Sequence, residues 1–390
     1  MNSRFSRFSR GSTRPMDTVV GGGPPPTQEV VVSHGAGLGT FGGVFTPSIL
    51  TILGVIMYLR FGWVVGNVGL VGALLIVTIS TSITFLTALS ISQIATDQRV
   101  RVGGAYYMIS RSLGIETGGA VGIPLFFAQA LSVALYTIGF AESVKNVFPQ
   151  VDERLVGLLT TVAVALLALK SARAAIRAQY FIMGAIGVSL ISFFLGSAVG
   201  PADTVTVPLA DVPRENFWVV FAVFFPAVTG IMAGVNMSGD LKEPGRSIPR
   251  GTMAAVLVGY AIYMILPLFL ALRADADQLI QEPLIMRRMA LWGDAIILGV
   301  WGATLSSAVG SIMGAPRVLQ ALARDGVLPN SLRWLGRGSG PEDTPRAGTA
   351  ITLAIALTAV AVGNLNLIAP VLTMFFLTTY GVLNISAGLE

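Results

Sequence analysis

The chain contains no cysteine and only one histidine, His34, among its 390 residues. The lack of cysteine excludes disulfide bonds and thiol nucleophiles, and with a single histidine it also excludes the common zinc sites. Charged residues are scarce as well, since they make up only 12% of the chain, about half the share in soluble proteins. No nucleophile–base pair and no group of metal ligands stands out, so the sequence predicts neither an enzyme nor a cofactor.

Apolar residues are correspondingly frequent in the chain. They account for 53% of the chain, and the mean hydropathy is +0.75. A soluble protein of this size has too few charges here to cover such an apolar surface, whereas a lipid bilayer solvates it. The composition therefore predicts an all-α polytopic membrane protein whose main partner is the lipid bilayer.

The apolar residues fall into ten stretches of roughly 17–28 residues, the length that a bilayer requires. Residues 1–38 precede them and are rich in Arg, Ser, Gly and Pro, which predicts a disordered cytoplasmic tail. Residues 39–390 then form a transmembrane core with two sets of five predicted helices. The first set lies near 42–66, 68–95, 119–146, 154–171 and 178–200, and the second near 216–238, 251–272, 293–315, 347–363 and 367–388.

The links between these stretches alternate in basic residues. The tail and the links after the second, fourth, sixth and eighth predicted helices hold 18 of the 25 Lys and Arg residues. The positive-inside rule then puts both termini in the cytoplasm, as in a protein of the plasma membrane. The excess of basic residues behind the net charge of +5 is explained by this topology. The net charge therefore does not predict nucleic-acid binding.

Two predicted helices contain matching interruptions. The first helix of the first set carries Phe45-Thr46-Pro47 and then Gly54, and the first helix of the second set carries Phe225-Pro226 and then Gly230. Paired Gly/Pro-interrupted helices in corresponding positions indicate a transporter binding site near the middle of the bilayer. A single such proline is more often a simple kink, but a matched pair favours a site.

The middle of the bilayer offers neutral oxygen atoms in place of charges. No Asp, Glu, Lys or Arg lies at the centre of the first, third, sixth or eighth predicted helix. Hydroxyl groups are present there, on Thr51, Tyr136, Thr229, Ser306, Ser307 and Tyr380. The carbonyl ends of broken helices suit cations and their N–H ends suit anions. A cation and an anion bound side by side would each offset the charge of the other, so this pocket favours the coupled transport of a salt.

Several motifs then resemble those of the cation–chloride cotransporter family, within the amino acid–polyamine–organocation superfamily. The block Phe225-Pro226-Ala227-Val228-Thr229-Gly230 with the exit Ser238-Gly239-Asp240-Leu241 is the most specific of them. Weaker matches are Gly103-Gly104-Ala105-Tyr106, Leu53-Gly54-Val55-Ile56 and Ala303-Thr304-Leu305-Ser306-Ser307. The resemblance spans roughly residues 40–388 and is strongest to the sodium–potassium–chloride branch.

This resemblance implies a LeuT-like five-plus-five inverted repeat, with repeats near 42–200 and 216–388, and electroneutral symport of chloride with cations by alternating access. It implies a potassium site at Thr51, Ile52, Tyr136, Pro226 and Thr229. It implies a sodium site at Leu50, Leu53, Ala303, Ser306 and Ser307. Chloride would bind the amides of Gly54, Val55 and Ile56, and also those of Gly230, Ile231 and Met232, where Tyr380 would add its hydroxyl group. Arg60 and Glu142 would form an ion pair that closes the external vestibule.

Two residues depart from the family pattern and keep alternatives open. Thr51 stands where members commonly have Asn, and Leu53 stands where sodium-dependent members have Trp. A sodium-independent potassium–chloride symporter and an amino-acid permease of the same superfamily therefore remain alternative functions. Members of the family usually continue after the tenth helix with regions that contribute to dimerisation, so a homodimer is an open expectation.

Overall fold

A computed structural model describes residues 37–97, 104–170, 172–199, 214–340 and 343–389 of the chain. These residues form helices and contain no β-strand, only two isolated bridges. Ten long helices are numbered here in chain order as α1 (Phe41–Leu59), α2 (Phe61–Asp97), α3 (Gly114–Val147), α4 (Glu153–Lys170), α5 (Ala172–Phe194), α6 (Phe217–Asp240), α7 (Pro244–Arg273), α8 (Gly293–Arg324), α9 (Arg346–Val362) and α10 (Leu365–Leu389). Shorter helices cover Gly104–Ser112, Ala276–Gln281, Ile285–Met289 and Asn330–Gly336.

Seven of the described helices are long and apolar enough to cross a bilayer, namely α1, α2, α3, α6, α7, α8 and α10. The apolar parts of α5 and α9 are shorter, Ala178–Phe194 and Arg346–Val362. Large apolar side chains cover the outside of the bundle; Phe181 is 83% exposed and Met374 is 69% exposed. Such a surface requires lipid around it. The predicted all-α polytopic membrane protein is confirmed, whereas the number of ten spans stays a prediction.

The first predicted helix is broken at Gly54. The helix Thr46–Ile52 ends at Leu53, Gly54 is extended with φ −100° and ψ −150°, and the helix Val55–Leu59 then begins. Pro47 does not break the chain; it lies in the first turn of Thr46–Ile52, a position where proline is tolerated. A short π-helix, Phe41–Phe45, precedes that turn.

The sixth helix is broken in the corresponding place. Its first part, Phe217–Phe224, changes into a single 3₁₀ turn at Phe225–Val228, whose second residue is Pro226. Thr229 and Gly230 separate this turn from the second part, Ile231–Val235. The prediction that the first and sixth helices are broken is therefore confirmed.

A sharp turn at Gly69 marks the boundary between the first two predicted helices. Gly69 has φ 70° and ψ 178° inside the otherwise helical segment Phe61–Asp97. Only glycine adopts this conformation at low cost. The turn therefore falls three residues after the predicted end of the first helix at residue 66.

The packing of the helices has the symmetry of an inverted repeat. α3 packs against α8, and α2 packs against α7. The contact of α3 with α10 has its counterpart in the contact of α8 with α5, and α3–α4 has its counterpart in α8–α9. Exchanging each helix in these contacts with the one five positions later leaves the set unchanged, as expected for two repeats of five helices. The five-plus-five fold predicted from the resemblance is confirmed.

The described part of the chain begins at Gly37. The amide of Leu38 donates to the carbonyl of Asp240 at 2.8 Å, and the amide of Lys242 donates to the carbonyl of Leu38 at 3.0 Å. Leu38 therefore lies against the exit of α6. The predicted tail falls, up to residue 36, outside the described residues, and so does the predicted external link at 203–211.

Candidate functional site

The two helix breaks are in direct contact at the centre of the bundle. A Cβ atom on Gly230 would lie 2.8 Å from the amide nitrogen of Ile52 and 2.8 Å from the carbonyl oxygen of Ser48. At Gly54 a Cβ atom would lie 2.7 Å from the carbonyl oxygen of Thr51. Real Cβ atoms do not come so close to backbone atoms, so glycine is needed at both breaks. The break in α6 therefore packs directly against the backbone of α1.

The carbonyl end of the first break holds the predicted potassium residues Thr51 and Ile52. The carbonyl oxygen of Ile52 accepts a hydrogen bond from the hydroxyl group of Tyr263 on α7. The hydroxyl group of Thr51 donates to the carbonyl oxygen of Pro47 at 2.9 Å, so this side chain is satisfied within its own helix. What Thr51 and Ile52 offer to a cation is therefore mainly backbone oxygen.

The second break holds Pro226, Thr229 and Tyr380. The hydroxyl group of Thr229 donates to the carbonyl oxygen of Pro226 at 2.9 Å. The hydroxyl group of Tyr380, on α10, donates to the carbonyl oxygen of Thr229 at 3.1 Å. Tyr380 is fully buried, and its donor thus lies beside Gly230, where the sequence predicts a chloride ion. In this conformation the backbone carbonyl uses that donor.

Tyr136, the remaining predicted potassium residue, lies on α3 with 4% of its surface exposed. One turn later α3 reaches α1, because Gly139 leaves space that the side chain of Val55 fills. This packing brings α3 against the second part of α1. Among the described residues, no hydrogen bond joins Tyr136 to either break.

The predicted chloride residues begin the second parts of the two broken helices. Gly54, Val55 and Ile56 open the helix Val55–Leu59, and Gly230, Ile231 and Met232 open Ile231–Val235. All six are buried. The first N–H groups of a helix have no partner within it and carry a partial positive charge, which suits an anion.

The predicted sodium residues lie on α1 and α8, two helices that are in contact. Leu50, Leu53 and Ala303 are buried, and Ser306 is half-buried. The hydroxyl oxygen of Ser307 is buried and has no hydrogen-bond partner among the described residues. The neighbouring Thr304 instead donates to the carbonyl oxygen of Val300 at 2.6 Å. A buried hydroxyl without a partner is costly, so Ser307 is the member of this set that most requires a ligand.

Arg60 and Glu142 form a bidentate ion pair between α1 and α3. The two guanidinium nitrogens lie 2.7 Å and 2.8 Å from the two carboxylate oxygens. Only 9% of the arginine side chain and 14% of the glutamate side chain is exposed. Arg60 also donates through Nε to the amide oxygen of Asn366 on α10, at 2.6 Å. These contacts join three helices on one side of the breaks.

At the other end of the bundle, the Gly-Gly-x-Tyr motif is tied to the end of α8. Asp325 accepts from the hydroxyl group of Tyr106 at 3.0 Å and from Arg111 at 2.9 Å. Burial and the neighbouring carboxylate of Asp325 raise the pKa of Tyr106 well above its ordinary value. Tyr106 is therefore a permanent donor, and the motif has a structural role here.

Sequence reasoning missed two residues of this site, Tyr263 and Asn366. Tyr263 could have been found by the criterion that selected Tyr136 and Tyr380, because it is also a tyrosine inside a predicted span. Asn366 follows the start of α10 and has no distinctive sequence signal. The described residues contain no group of His, Cys, Asp and Glu side chains that could hold a metal ion.

Comparison with known proteins agrees with this architecture. Residues 43–387 match the family described as amino acid permease. The chain is 38% identical to solute carrier family 12 member 8 of Mus musculus, over 88% of this chain and 50% of the relative. It is 33% identical to solute carrier family 12 member 1 of the same organism, over 88% of this chain and 37% of the relative.

A third relative is the bumetanide-sensitive sodium-(potassium)-chloride cotransporter of Manduca sexta, with 33% identity over 92% of this chain and 40% of the relative. The chain thus spans half or less of the length of these curated relatives. The relatives confirm the resemblance to cation–chloride cotransporters that the motifs predict. The chain belongs to the amino acid permease family.

Proposed function

We propose that this chain is a secondary transporter that carries chloride together with potassium and sodium, electroneutrally and by alternating access. The observation that carries the proposal is the contact between the two helix breaks. Gly230, which precedes the helix Ile231–Val235, lies against Ser48 and Ile52 of the helix Thr46–Ile52. The helix Val55–Leu59 begins three residues after Ile52. A site of this kind offers oxygen to a cation and N–H groups to an anion.

Electrostatics supports the transport of cation and anion together. A lone ion in the low-dielectric centre of the bundle would lose its hydration shell without gaining equivalent interactions, at a cost of tens of kcal/mol on a Born estimate. The described residues of the breaks carry no charged side chain that could compensate it. A cation and a chloride ion bound side by side neutralise each other. The name of the relative from Manduca sexta, a sodium-(potassium)-chloride cotransporter, supports the same reading.

The choice of cations rests on separate groups of residues. For potassium we assign Thr51, Ile52, Tyr136, Pro226 and Thr229, chiefly through their backbone oxygens. For sodium we assign the set around Ser307, whose unpaired hydroxyl group favours an additional ligand. Leu53 favours the alternative of a sodium-independent potassium–chloride symporter, because sodium-dependent members have Trp there.

An amino-acid permease is the second alternative, favoured by the description of the matching family. The close contact of Gly230 with Ile52 and Ser48 argues against it. An inorganic ion needs only a few ångströms of space, whereas an amino acid would require the two breaks to separate. Electroneutral salt transport is therefore the proposal that this geometry supports best.

Uptake of radioactive rubidium into proteoliposomes tests the proposal. Influx should require chloride and fall when sodium is replaced by an inert organic cation. Influx that needs chloride but not sodium would establish the potassium–chloride alternative. Uptake of a labelled amino acid, together with rubidium uptake indifferent to chloride, would establish the permease.

A matched pair of glycine variants links the flux to the helix breaks. Gly230→Ala puts a methyl group against backbone atoms of α1 and should abolish rubidium influx. Gly184→Ala on α5 meets nothing within 4 Å and should leave influx unchanged. Normal influx in Gly230→Ala would contradict the assigned site.

A further inference from the structure

An amide pair lies where α3, α6 and α8 meet, outside the residues assigned so far. The amide nitrogen of Asn236 donates to the amide oxygen of Gln129 at 3.0 Å. Gly314 of α8 lies against both, since a Cβ atom there would collide with the Gln129 oxygen and lie 2.6 Å from the Asn236 nitrogen. Gln129 is only 4% exposed. Three transport helices thus converge on one pair of polar side chains.

Each amide keeps one polar atom without a partner. Nε2 of Gln129 and Oδ1 of Asn236 are buried and have no hydrogen-bond partner among the described residues. Exchanging oxygen and nitrogen in both amides reverses the bond but again leaves one donor and one acceptor free. Buried amides are normally satisfied, so this pair is prepared for a further ligand. The ligand must accept a hydrogen bond from the free N–H group. It must also donate a hydrogen bond to the free C=O group or be coordinated by it.

The pair lies directly beyond the proposed ion site on the same helix faces. Gln129 precedes Tyr136 by seven residues on α3, and Gly314 follows Ser307 by seven residues on α8. Seven residues are about two helical turns, or roughly 10 Å along the axis. Asn236 follows Met232 by one turn on α6. Gln129, Gly314 and Asn236 therefore lie on one side of the ion site. Glu142, which follows Tyr136 on α3, lies on the opposite side.

Polar atoms continue from the pair to the surface. Ser238 is fully buried, and its hydroxyl group also lacks a partner among the residues that the structure describes. Asp240 and Arg317 follow, 4.0 Å apart, and their side chains are 53% and 35% exposed. The opposite side is closed by the ion pair of Arg60 with Glu142. Beyond Ser307, the described residues on the side of Asp240 and Arg317 thus include three buried polar atoms without a partner, on Gln129, Asn236 and Ser238.

We propose that Gln129 and Asn236 form a subsite for a partly dehydrated inorganic ion on the route between the helix breaks and the Asp240–Arg317 face. The free amide oxygen coordinates an alkali cation, and the free N–H group binds chloride. This inference rests on the proposed function. It adds a step in which an ion exchanges part of its hydration shell for amide groups before it reaches water.

Sided transport kinetics test the subsite. Gln129→Met keeps the length of the side chain and removes the amide. The half-saturating concentrations of rubidium and chloride should rise by about threefold or more on the Asp240–Arg317 face and stay unchanged on the other face. Gln320→Met is the matched control, because Gln320 is also a buried glutamine of a transport helix, at 6% exposure, but bonds a loop carbonyl. Equal shifts on both faces, or a lower maximal rate alone, would overturn the proposal. Gln129→Asn, which withdraws the amide by one methylene, should give the same sided shift if Gln129→Met fails to fold.

A measurement without transport separates this inference from the proposed function. The chain has no native cysteine, so Ser307→Cys provides a single reporter. A positively charged thiol reagent should label it from the Asp240–Arg317 face, and Gln129→Met should slow this labelling by about threefold or more. Labelling unaffected by Gln129→Met would refute the subsite even if rubidium symport is normal. Absence of rubidium symport would refute the proposed function and leave the labelling result to decide the subsite.

Discussion

The hydroxyl groups of Tyr263 and Tyr380 each donate a hydrogen bond to a backbone carbonyl beside a helix break. Tyr263 bonds Ile52 in α1, and Tyr380 bonds Thr229 in α6. Both rings are fully buried, so neither hydroxyl can turn to water. Each tyrosine therefore orients a group that we assign to ion binding, one on the cation side and one beside the chloride amides.

Phenylalanine at these two positions should separate cation binding from chloride binding. Tyr263→Phe leaves the Ile52 carbonyl without its donor and should raise the half-saturating rubidium concentration by about threefold or more, with little effect on chloride. Tyr380→Phe removes a donor next to the assigned anion and should raise the half-saturating chloride concentration about tenfold; it also frees the Thr229 carbonyl, so rubidium should shift by a smaller factor. Rubidium influx measured against each ion, with Tyr260→Phe as a control, tests both. Identical shifts for the two ions in both variants would show that the tyrosines only support packing.

Ser307 is the residue on which the sodium assignment depends. Its hydroxyl oxygen is buried without a partner among the described residues, although Ser306 beside it is half-buried. A hydrogen bond or coordination to a charged group contributes about 1.5–3 kcal/mol. Ser307→Ala should therefore raise the half-saturating sodium concentration about tenfold or more, while chloride dependence changes little. Ser311→Ala, one turn later on α8, is the control. Sodium dependence that is unaltered by Ser307→Ala would remove this site.

At the scale of helices, the ion pair of Arg60 and Glu142 fixes how α1 meets α3. The pair is mostly buried, and Asn366 ties it to α10. Removing one partner of a buried pair strands the other charge, which is strongly destabilising for the conformation that contains the pair. We therefore expect the interaction to favour a conformation that is closed on this side.

Charge exchange tests whether the pair is formed during transport. Arg60→Glu and Glu142→Arg should each impair rubidium influx at normal surface expression, because like charges then meet in the closed conformation. The double exchange should recover part of the influx. A double variant no better than the weaker single variant would argue against direct pairing.

The prolines that mark the two interrupted helices in the sequence are not both the residues at which the helices break. Pro47 lies in the first turn of a helix, where it is tolerated, and the chain breaks at Gly54 instead. In α6 the proline does matter, since Pro226 lies at the start of the 3₁₀ turn Phe225–Val228 that ends at the break. A glycine is common to both, because each break lies against backbone atoms of its surroundings.

For the whole molecule, the alternation of basic residues predicts which face of the membrane each loop occupies. The loop after α8 should be cytoplasmic and the link between α3 and α4 should be external. Ser331 and Gln150 are exposed representatives of these two loops. Since the chain lacks native cysteine, Ser331→Cys and Gln150→Cys can each be labelled alone. An impermeant reagent added to intact cells should label Gln150→Cys only; labelling of Ser331→Cys instead would reverse the topology.

The sequence by itself determined the class of the molecule and the places where its transport helices break. Hydropathy predicts the spans because a bilayer demands long apolar helices, and paired glycines predict the breaks because few other residues allow backbone to approach backbone. These are local properties, and a sequence displays them directly. The predicted ends of the helices nevertheless shifted; α8, for example, extends to Arg324 beyond the predicted residue 315.

Only the tertiary structure decided which groups meet at the site. Tyr263 bonds a carbonyl 211 positions away in the chain, and Asn366 bonds an arginine 306 positions away. Gln129 and Asn236 are 107 positions apart, and each looks like an ordinary polar residue within its own span. Such contacts arise from the crossing of helices in the folded bundle, because packing geometry, rather than the local pattern of residues, sets which side chains come within hydrogen-bond distance.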